Sequence, residues 1–150
     1  MMSNVKIIRY SPKKFGFIFI RIYFLFNNKL DQLKQLFENN TFWAKNREVK
    51  DLKIMIQNSD EIMTAWKGNK LIGFGRGTSD KIYRGVIWDI VVDKEEQRSG
   101  LGKAIIQDLL RSPSFRMVEK IYLMTSDKVE FYKQSGFSEE TLQSLMIRHK

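Results

Sequence analysis

Cysteine is absent from the 150 residues, and histidine occurs once, at His149. Without a thiol there is no disulfide, no iron–sulfur cluster, no thiolate zinc site and no cysteine nucleophile. A single histidine beside the carboxyl end allows neither a multi-histidine metal centre nor a Ser-His-Asp triad with an internal histidine, so no metal is expected. Long apolar runs are scarce too. The one at residues 15–26 is broken by Arg21 and falls well short of the about 20 residues a spanning helix needs. No small-residue cleavage pattern follows it, so it does not read as a signal peptide. Phe17, Phe19, Tyr23 and Leu25, with Arg21, share one face of an extended segment, which predicts a core strand. The basic, aromatic character of residues 10–26 leaves membrane-surface association as the alternative.

What is present is enough for one domain spanning residues 1–150. A chain of this length supports one substantial core, and a 43% hydrophobic content argues for a folded globule over a disordered tail. Twenty-six Lys and Arg against 17 Asp and Glu leave a formal charge of +9, which attracts polyanions in general. The positive residues are scattered, and no recognition helix or basic-aromatic stripe stands out, so no specific nucleic-acid partner is expected.

Apolar spacing predicts helices over residues 29–38, with Asn28 as cap, and over residues 47–57. Strands follow at 61–66 and 71–76, joined by a tight turn through Gly68 and Asn69, and a third at 82–92. In that third strand simple alternation sets Asp89 on the face opposite Trp88. A helix over 101–110, a short strand at 119–124 and a short helix at 128–134 come next, and residues 142–147 can close the sheet. The order implies an α/β domain, a mixed sheet with helices on its faces.

The glycine-bearing turn between the third strand and its helix is the first candidate site. Gly100 and Gly102 let the backbone turn sharply and approach a ligand, and the free amides of the helix start point at an anion. Arg98 and Lys103 add charge, so a diphosphate is a natural occupant. A nucleoside-triphosphate loop would need Ser or Thr where Ala104 stands, and a dinucleotide fingerprint would need glycine where Ile105 stands; both fail. A lone GxG can also be mere packing.

The stretch Val91-Val92-Asp93, then Gln97-Arg98-Ser99-Gly100-Leu101-Gly102-Lys103, resembles the acetyl-coenzyme-A signature of the GNAT superfamily of N-acetyltransferases. Val129-Glu130-Phe131-Tyr132-Lys133-Gln134-Ser135-Gly136-Phe137 resembles its second motif, and the likeness, covering residues 28–137, is greatest to the plastid and cyanobacterial branch that includes plant serotonin N-acetyltransferases. The resemblance implies the acyl-CoA N-acyltransferase fold, a mostly antiparallel mixed sheet flanked by helices. It implies acetyl-CoA as cosubstrate and a primary amine as acceptor, either a small arylalkylamine or a protein amino group. It also implies that backbone groups of Ile90, Val91 and Val92 pair with the pantetheine arm, that Gln97, Arg98, Ser99, Gly100, Leu101, Gly102 and Lys103 cradle the pyrophosphate, and that Tyr132 lies near the sulfur. Related enzymes often carry asparagine six residues before the tyrosine; Ser126 occupies that place here, with shorter reach.

Acetyl transfer needs a deprotonated amine, an oriented thioester and a stabilised leaving thiolate. Tyr132 is the candidate leaving-group acid, against a plain role as a core aromatic beside Phe131. Asp89 is the candidate near the amine, as base through water, as an anchor for an ammonium, or as a network-forming carboxylate; Glu61 is a second choice. A direct attack in a ternary complex suits a chain without cysteine, and a catalytically inactive acetyl-CoA-binding or partner-binding protein of the same fold is the competing reading. Phe42, Trp43, Trp66, Phe74 and Trp88 are possible sources of an apolar acceptor wall. The resemblance and the Lys-, Asn-, Ile- and Phe-rich composition point to a plastid (chloroplast) stroma and a plastid-encoded protein, with a bacterial cytoplasm as alternative. A homodimer is compatible with everything in the sequence.

Overall fold

The computed structural model describes residues 4–12 and 29–149. The strand expected at residues 15–26 and the Asn28 cap lie outside them. Along the described chain run β1 (Val5–Tyr10), α1 (Lys29–Asn40), α2 (Val49–Gln57), β2 (Glu61–Lys67), β3 (Lys70–Ser79), β4 (Arg84–Val92), a 3₁₀ turn (Lys94–Glu96), α3 (Leu101–Leu110), β5 (Lys120–Tyr122) and α4 (Val129–Lys133). The five strands form one sheet in the order β1-β2-β3-β4-β5. The first three pairings are antiparallel and β4 with β5 is parallel, giving the expected mixed, mostly antiparallel sheet.

Helices cover both faces, which is why β2 is buried along nearly its whole length instead of alternating with polar residues. On one side Leu33, Leu36 and Phe37 of α1 and Leu52 and Ile56 of α2 pack on Ile62, Phe74 and Val91. On the other, Leu101, Ile105, Ile106 and Leu109 of α3 pack on Met63, Ile72 and Ile87. The periods read from the sequence therefore correspond to real faces.

The structure departs from the sequence-based reading in four places. Val5–Tyr10, where no element is expected, is the edge strand beside β2. The third strand begins at Arg84, not residue 82, because Asp80 Oδ1 accepts the amides of Ile82, Tyr83 and Arg84 at 2.7–2.9 Å and holds them in a turn. Those amides keep the exposed Asp80 carboxyl below its usual range, that of Arg84 first. Residues 142–147 form no strand: Leu142, Leu145, Met146 and Ile147 are exposed, and the sheet ends at β5. Apolar composition had suggested a strand there, but no edge pairs with it.

The fourth correction lies within β4. Trp88 pairs with Arg76 and Val91 with Phe74, so Asp89 and Ile90 together oppose the single residue Gly75. This is a β-bulge, and its first residue, Asp89, has φ 55°. The extra residue reverses the alternation downstream. Ile87 packs toward α3 whereas Val91 packs toward α1 and α2. Trp88 and Asp89 consequently both meet Arg76, instead of facing apart. Gly75 makes room for the bulge: a Cβ there would lie 2.6 Å from Ile90 Cδ1 and 2.7 Å from Ile105 Cγ2.

Candidate active site

Strands β4 and β5 pair only from Arg84 to Val86 and from Lys120 to Tyr122. Beyond that they part, and a cleft of about 660 Å³ opens between the second half of β4 and residues 123–128. Among the described residues the edge of β4 from Ile87 to Val92 that faces away from β3 therefore has no sheet partner, and apart from Val92 O, which accepts the Gln97 side chain, its amides and carbonyls are open to a ligand that lies along it. Ile90, Val91, Val92, Gln97, Ser126 and Tyr132 all line this cleft, as does Asp89.

At the carboxyl end of β4 the chain is tied before it turns. Asp93 accepts the Glu95 amide at 3.1 Å and pairs with Lys70 at 2.9 Å, while its own amide donates to Ile72 O at 2.8 Å. Burial pushes the Asp93 carboxyl up, but Lys70 and the Glu95 amide outweigh it and the group lies below its ordinary range. Gln97 Nε2 donates to Val92 O at 3.1 Å and Ser99 Oγ to Glu96 O at 2.6 Å. Arg98 and Gly100 have φ 62° and 87°, the left-handed geometry that turns the chain into α3. The first bond of that helix runs from Ala104 N to Gly100 O at 3.0 Å, and no side chain caps it. The amides of Leu101, Gly102 and Lys103 thus precede the helical ladder, with the Arg98 and Lys103 side chains exposed beside them.

The two glycines do different work. A Cβ at Gly100 would meet nothing within 4 Å, so the space it leaves is open to a ligand. A Cβ at Gly102 would lie 3.0 Å from Phe131 Cζ, so that glycine lets α4 approach α3. Of the two uses the sequence leaves open for this pair, ligand approach fits Gly100 and packing fits Gly102. The side chain of Leu101 is buried in the core, leaving only its backbone for a ligand.

Tyr132 is carried by α4 between Phe131 and Phe137, with ring centroids 5.0 and 6.2 Å away. Burial, and secondarily the Asp127 charge, push its phenol above its ordinary value of 10.0, so it holds its proton at neutral pH. Ser126 Oγ reaches Asp127 Oδ1 at 3.5 Å, at the limit of a hydrogen bond.

The opposite wall of the cleft comes from the loop after α1. Thr41 Oγ1 donates to Phe37 O at 2.9 Å and accepts the Ala44 amide at 3.2 Å, and Asn40 Oδ1 accepts the Lys94 amide at 2.9 Å. These bonds hold Phe42, 70% exposed, and Trp43, 45% exposed, beside Trp88 and Met124 at the cleft. Trp66 and Phe74 are core residues instead. Asp89 is held by Arg47 and Arg76, which sequence reasoning did not connect to it. No signal in the sequence marks that pairing. Glu61 is not part of the cleft: it is buried and accepts Ser11 Oγ and Ser114 Oγ, each at 2.7 Å, and Ser114 N at 3.3 Å. Among the described residues no helix is long and apolar enough to cross a membrane, and no cluster of three or more metal-ligating side chains occurs.

The sequence pattern of the acetyltransferase (GNAT) family matches residues 30–137. A Pyropia yezoensis protein described as an uncharacterized N-acetyltransferase, ycf52, is 36% identical over 116 residues, covering 74% of this chain and 66% of its own. An Arabidopsis thaliana protein described as GCN5-related N-acetyltransferase 2, chloroplastic, is 45% identical over 69 residues, covering 45% of this chain and 27% of its own. The chain thus spans just under two thirds of the first relative and about a quarter of the second. A solved acetyltransferase of the GNAT family from Streptococcus pneumoniae superposes with a TM-score of 0.71 at 18% identity, over 97% of this chain and 99% of that one.

Proposed function

The chain belongs to the GNAT family of acetyltransferases, and from that premise we propose that it moves an acetyl group from acetyl-CoA to a primary amine by direct attack in a ternary complex. The observation that carries this reading is the parting of β4 from β5, which leaves a bare strand edge along a cleft with the left-handed turn at one end and Tyr132 on its wall. The residues fit the cosubstrate. The open space at Gly100 and the amides of Leu101 to Lys103 receive the diphosphate, with Gln97, Arg98 and Ser99 shaping the turn. The edge at Ile90, Val91 and Val92, which no strand covers and where only Val92 O is shared with the Gln97 side chain, takes the pantetheine amides, and Ser126 lies across the cleft from it.

The amine nitrogen attacks the thioester carbonyl, a C–N bond forms and the C–S bond breaks. Tyr132 gives its proton to the departing sulfur, and the proton lost by the nitrogen passes to solvent, from which the phenolate is reprotonated. The phenol carries a proton at neutral pH and lies on the cleft wall, as that role requires. No covalent enzyme intermediate forms. The exposed Phe42 and Trp43, with Trp88 and Met124, favour an acceptor with a flat apolar body, an arylalkylamine. The relative described as chloroplastic supports a plastid location.

The test is calorimetric titration with acetyl-CoA, followed by thiol-release assays over arylalkylamines, polyamines and peptides. Saturable binding with turnover of an arylalkylamine is expected. Turnover of peptides alone would move the acceptor to protein amino groups, binding without turnover across the panel would favour the inactive binding protein, and absence of binding to folded protein would refute the reading.

A further inference from the structure

Asp89 combines three features that a carboxylate awaiting a substrate does not need. Its backbone lies at φ 55° in the middle of a strand, a left-handed angle that aspartate tolerates better than most residues but that regular strand geometry does not supply. Both its oxygens are engaged, Oδ1 by Arg47 Nη2 at 3.1 Å and Oδ2 by Arg76 Nε at 2.6 Å, and its side chain is 7% exposed. The two guanidiniums come from separate segments of the chain. Arg76 belongs to β3 and lies 5.6 Å from the Trp88 ring. Arg47 precedes α2 and stacks on Phe37 and Trp43 at 4.9 and 5.5 Å.

We propose that Arg47 and Arg76 clamp Asp89 in its left-handed conformation, and that Asp89 is a positioning residue that fixes the β4 bulge and joins it to the acceptor wall, instead of a base or an ammonium anchor. The inference rests on the acetyltransferase reading above for the reaction it serves. Its physical basis is the register. If Asp89 relaxed to extended geometry the bulge would be lost, and a one-residue slip turns every following side chain to the other face. Val91 would leave the core beside Phe74, Ile90 would leave the notch at Gly75, and a different set of backbone groups would face the cleft. Two cations on one carboxylate also leave the cluster with a surplus positive charge, which discourages an ammonium from pairing with it. Through the stack of Arg47 on Trp43 the same clamp sets the position of an exposed aromatic at the acceptor side.

The substitutions Asp89→Asn and Asp89→Glu separate the roles. Asparagine cannot take a proton but tolerates the left-handed region and keeps an acceptor oxygen; glutamate keeps the charge and the basicity but tolerates that region poorly. The clamp predicts that Asp89→Asn, which turns an amide donor toward one guanidinium but keeps the left-handed tolerance, and Arg76→Met, which removes one guanidinium, each lose about tenfold in kcat/KM, whereas Asp89→Glu loses about a hundredfold, the scale of an ångström's misplacement, and binds acetyl-CoA more weakly. A base or anchor predicts the reverse order, and glutamate outperforming asparagine would overturn the proposal. So would Asp89→Glu and Arg76→Met proteins with unchanged kcat and acetyl-CoA affinity. Thermal melting checks folding. If Asp89→Glu fails to fold, Asp89→Gly against Asp89→Ala serves: both lack the carboxylate, and glycine is expected to exceed alanine by about tenfold, while equal loss refutes the clamp. Acetyl-CoA affinity by calorimetry reads the clamp even if the wild-type protein acetylates none of the amines offered, so a failed activity reading and a failed clamp remain distinct.

Discussion

Substituting Gly100 by alanine and by glutamate tests the anion site with two variants whose difference isolates charge. At φ 87° either side chain carries the left-handed penalty, about 1–2 kcal/mol. No protein atom lies within 4 Å of the added Cβ, so no clash adds to it. For a chain of this size the strain corresponds to a melting-temperature drop of roughly 2–8 °C, nearly equal in the two variants. Binding should divide them. A carboxylate about 4 Å from two phosphate charges in water costs about 1 kcal/mol per pair, hence about 2 kcal/mol and roughly thirtyfold in affinity beyond alanine. The assay is calorimetric titration of both variants with acetyl-CoA at low and at high salt, beside thermal melts. The glutamate-to-alanine ratio of dissociation constants should be near thirty at low salt and shrink toward one near ~1 M, where screening acts within about 3 Å. Equal dissociation constants at low salt would refute the placement of an anion at this helix start, whatever either variant does to stability.

Tyr132→Phe should lower kcat by about 10²–10⁴-fold with acetyl-CoA affinity and melting temperature little changed, because the ring contacts to Phe131 and Phe137 survive; wild-type kcat in steady-state assays would remove Tyr132 from the reaction. Since the folded-state phenol titrates above its unfolded value of 10.0, its contribution to stability is complete below pH 10 and declines as pH rises toward the raised value, a decline that denaturant titrations should find smaller in Tyr132→Phe. Gly75→Ala should destabilise by about 1–3 kcal/mol in urea unfolding, because its Cβ meets Ile90 and Ile105 at 2.6 and 2.7 Å; a neutral result would mean that the bulge yields easily. Glu61→Ala should cost about 1–3 kcal/mol by stranding the Ser11 and Ser114 hydroxyls, with kcat retained in the folded fraction, and a selective loss of kcat would return Glu61 to the chemistry.

Much of the candidate site was legible because its parts are local. The turn from Gln97 to Lys103 is built by consecutive residues, with glycine where a left-handed angle is needed and a helix start where amides are free, and Tyr132 lies on a short helix whose aromatic neighbours are adjacent in sequence. The layers of the fold were legible for a similar reason, since Leu33, Leu36 and Phe37 or Leu101, Ile105 and Leu109 repeat at the period of one helix face. Misreadings came where partners are distant. The edge strand at Val5–Tyr10 is defined by pairing with β2, some 60 residues on, and the failure of residues 142–147 to form a strand reflects a missing partner that composition cannot report.

Asp89 marks the boundary between the two kinds of knowledge. Its presence in an apolar strand near the signature was enough, from sequence, to make it a candidate for chemistry. Which way it points, and what holds it, followed from a bulge opposite Gly75 and from arginines 42 and 13 residues away in the chain. A strand's alternation is a local rule that one inserted residue reverses, and an ion pair depends on where separate elements pack. The amino-acid sequence by itself determined the family of fold, the helix and strand periods and the turn that suits a diphosphate, because each depends on neighbours along the chain. Tertiary structure decided the parting of β4 from β5, the packing role of Gly102 and the clamp on Asp89, because each depends on contacts between residues that only folding brings together.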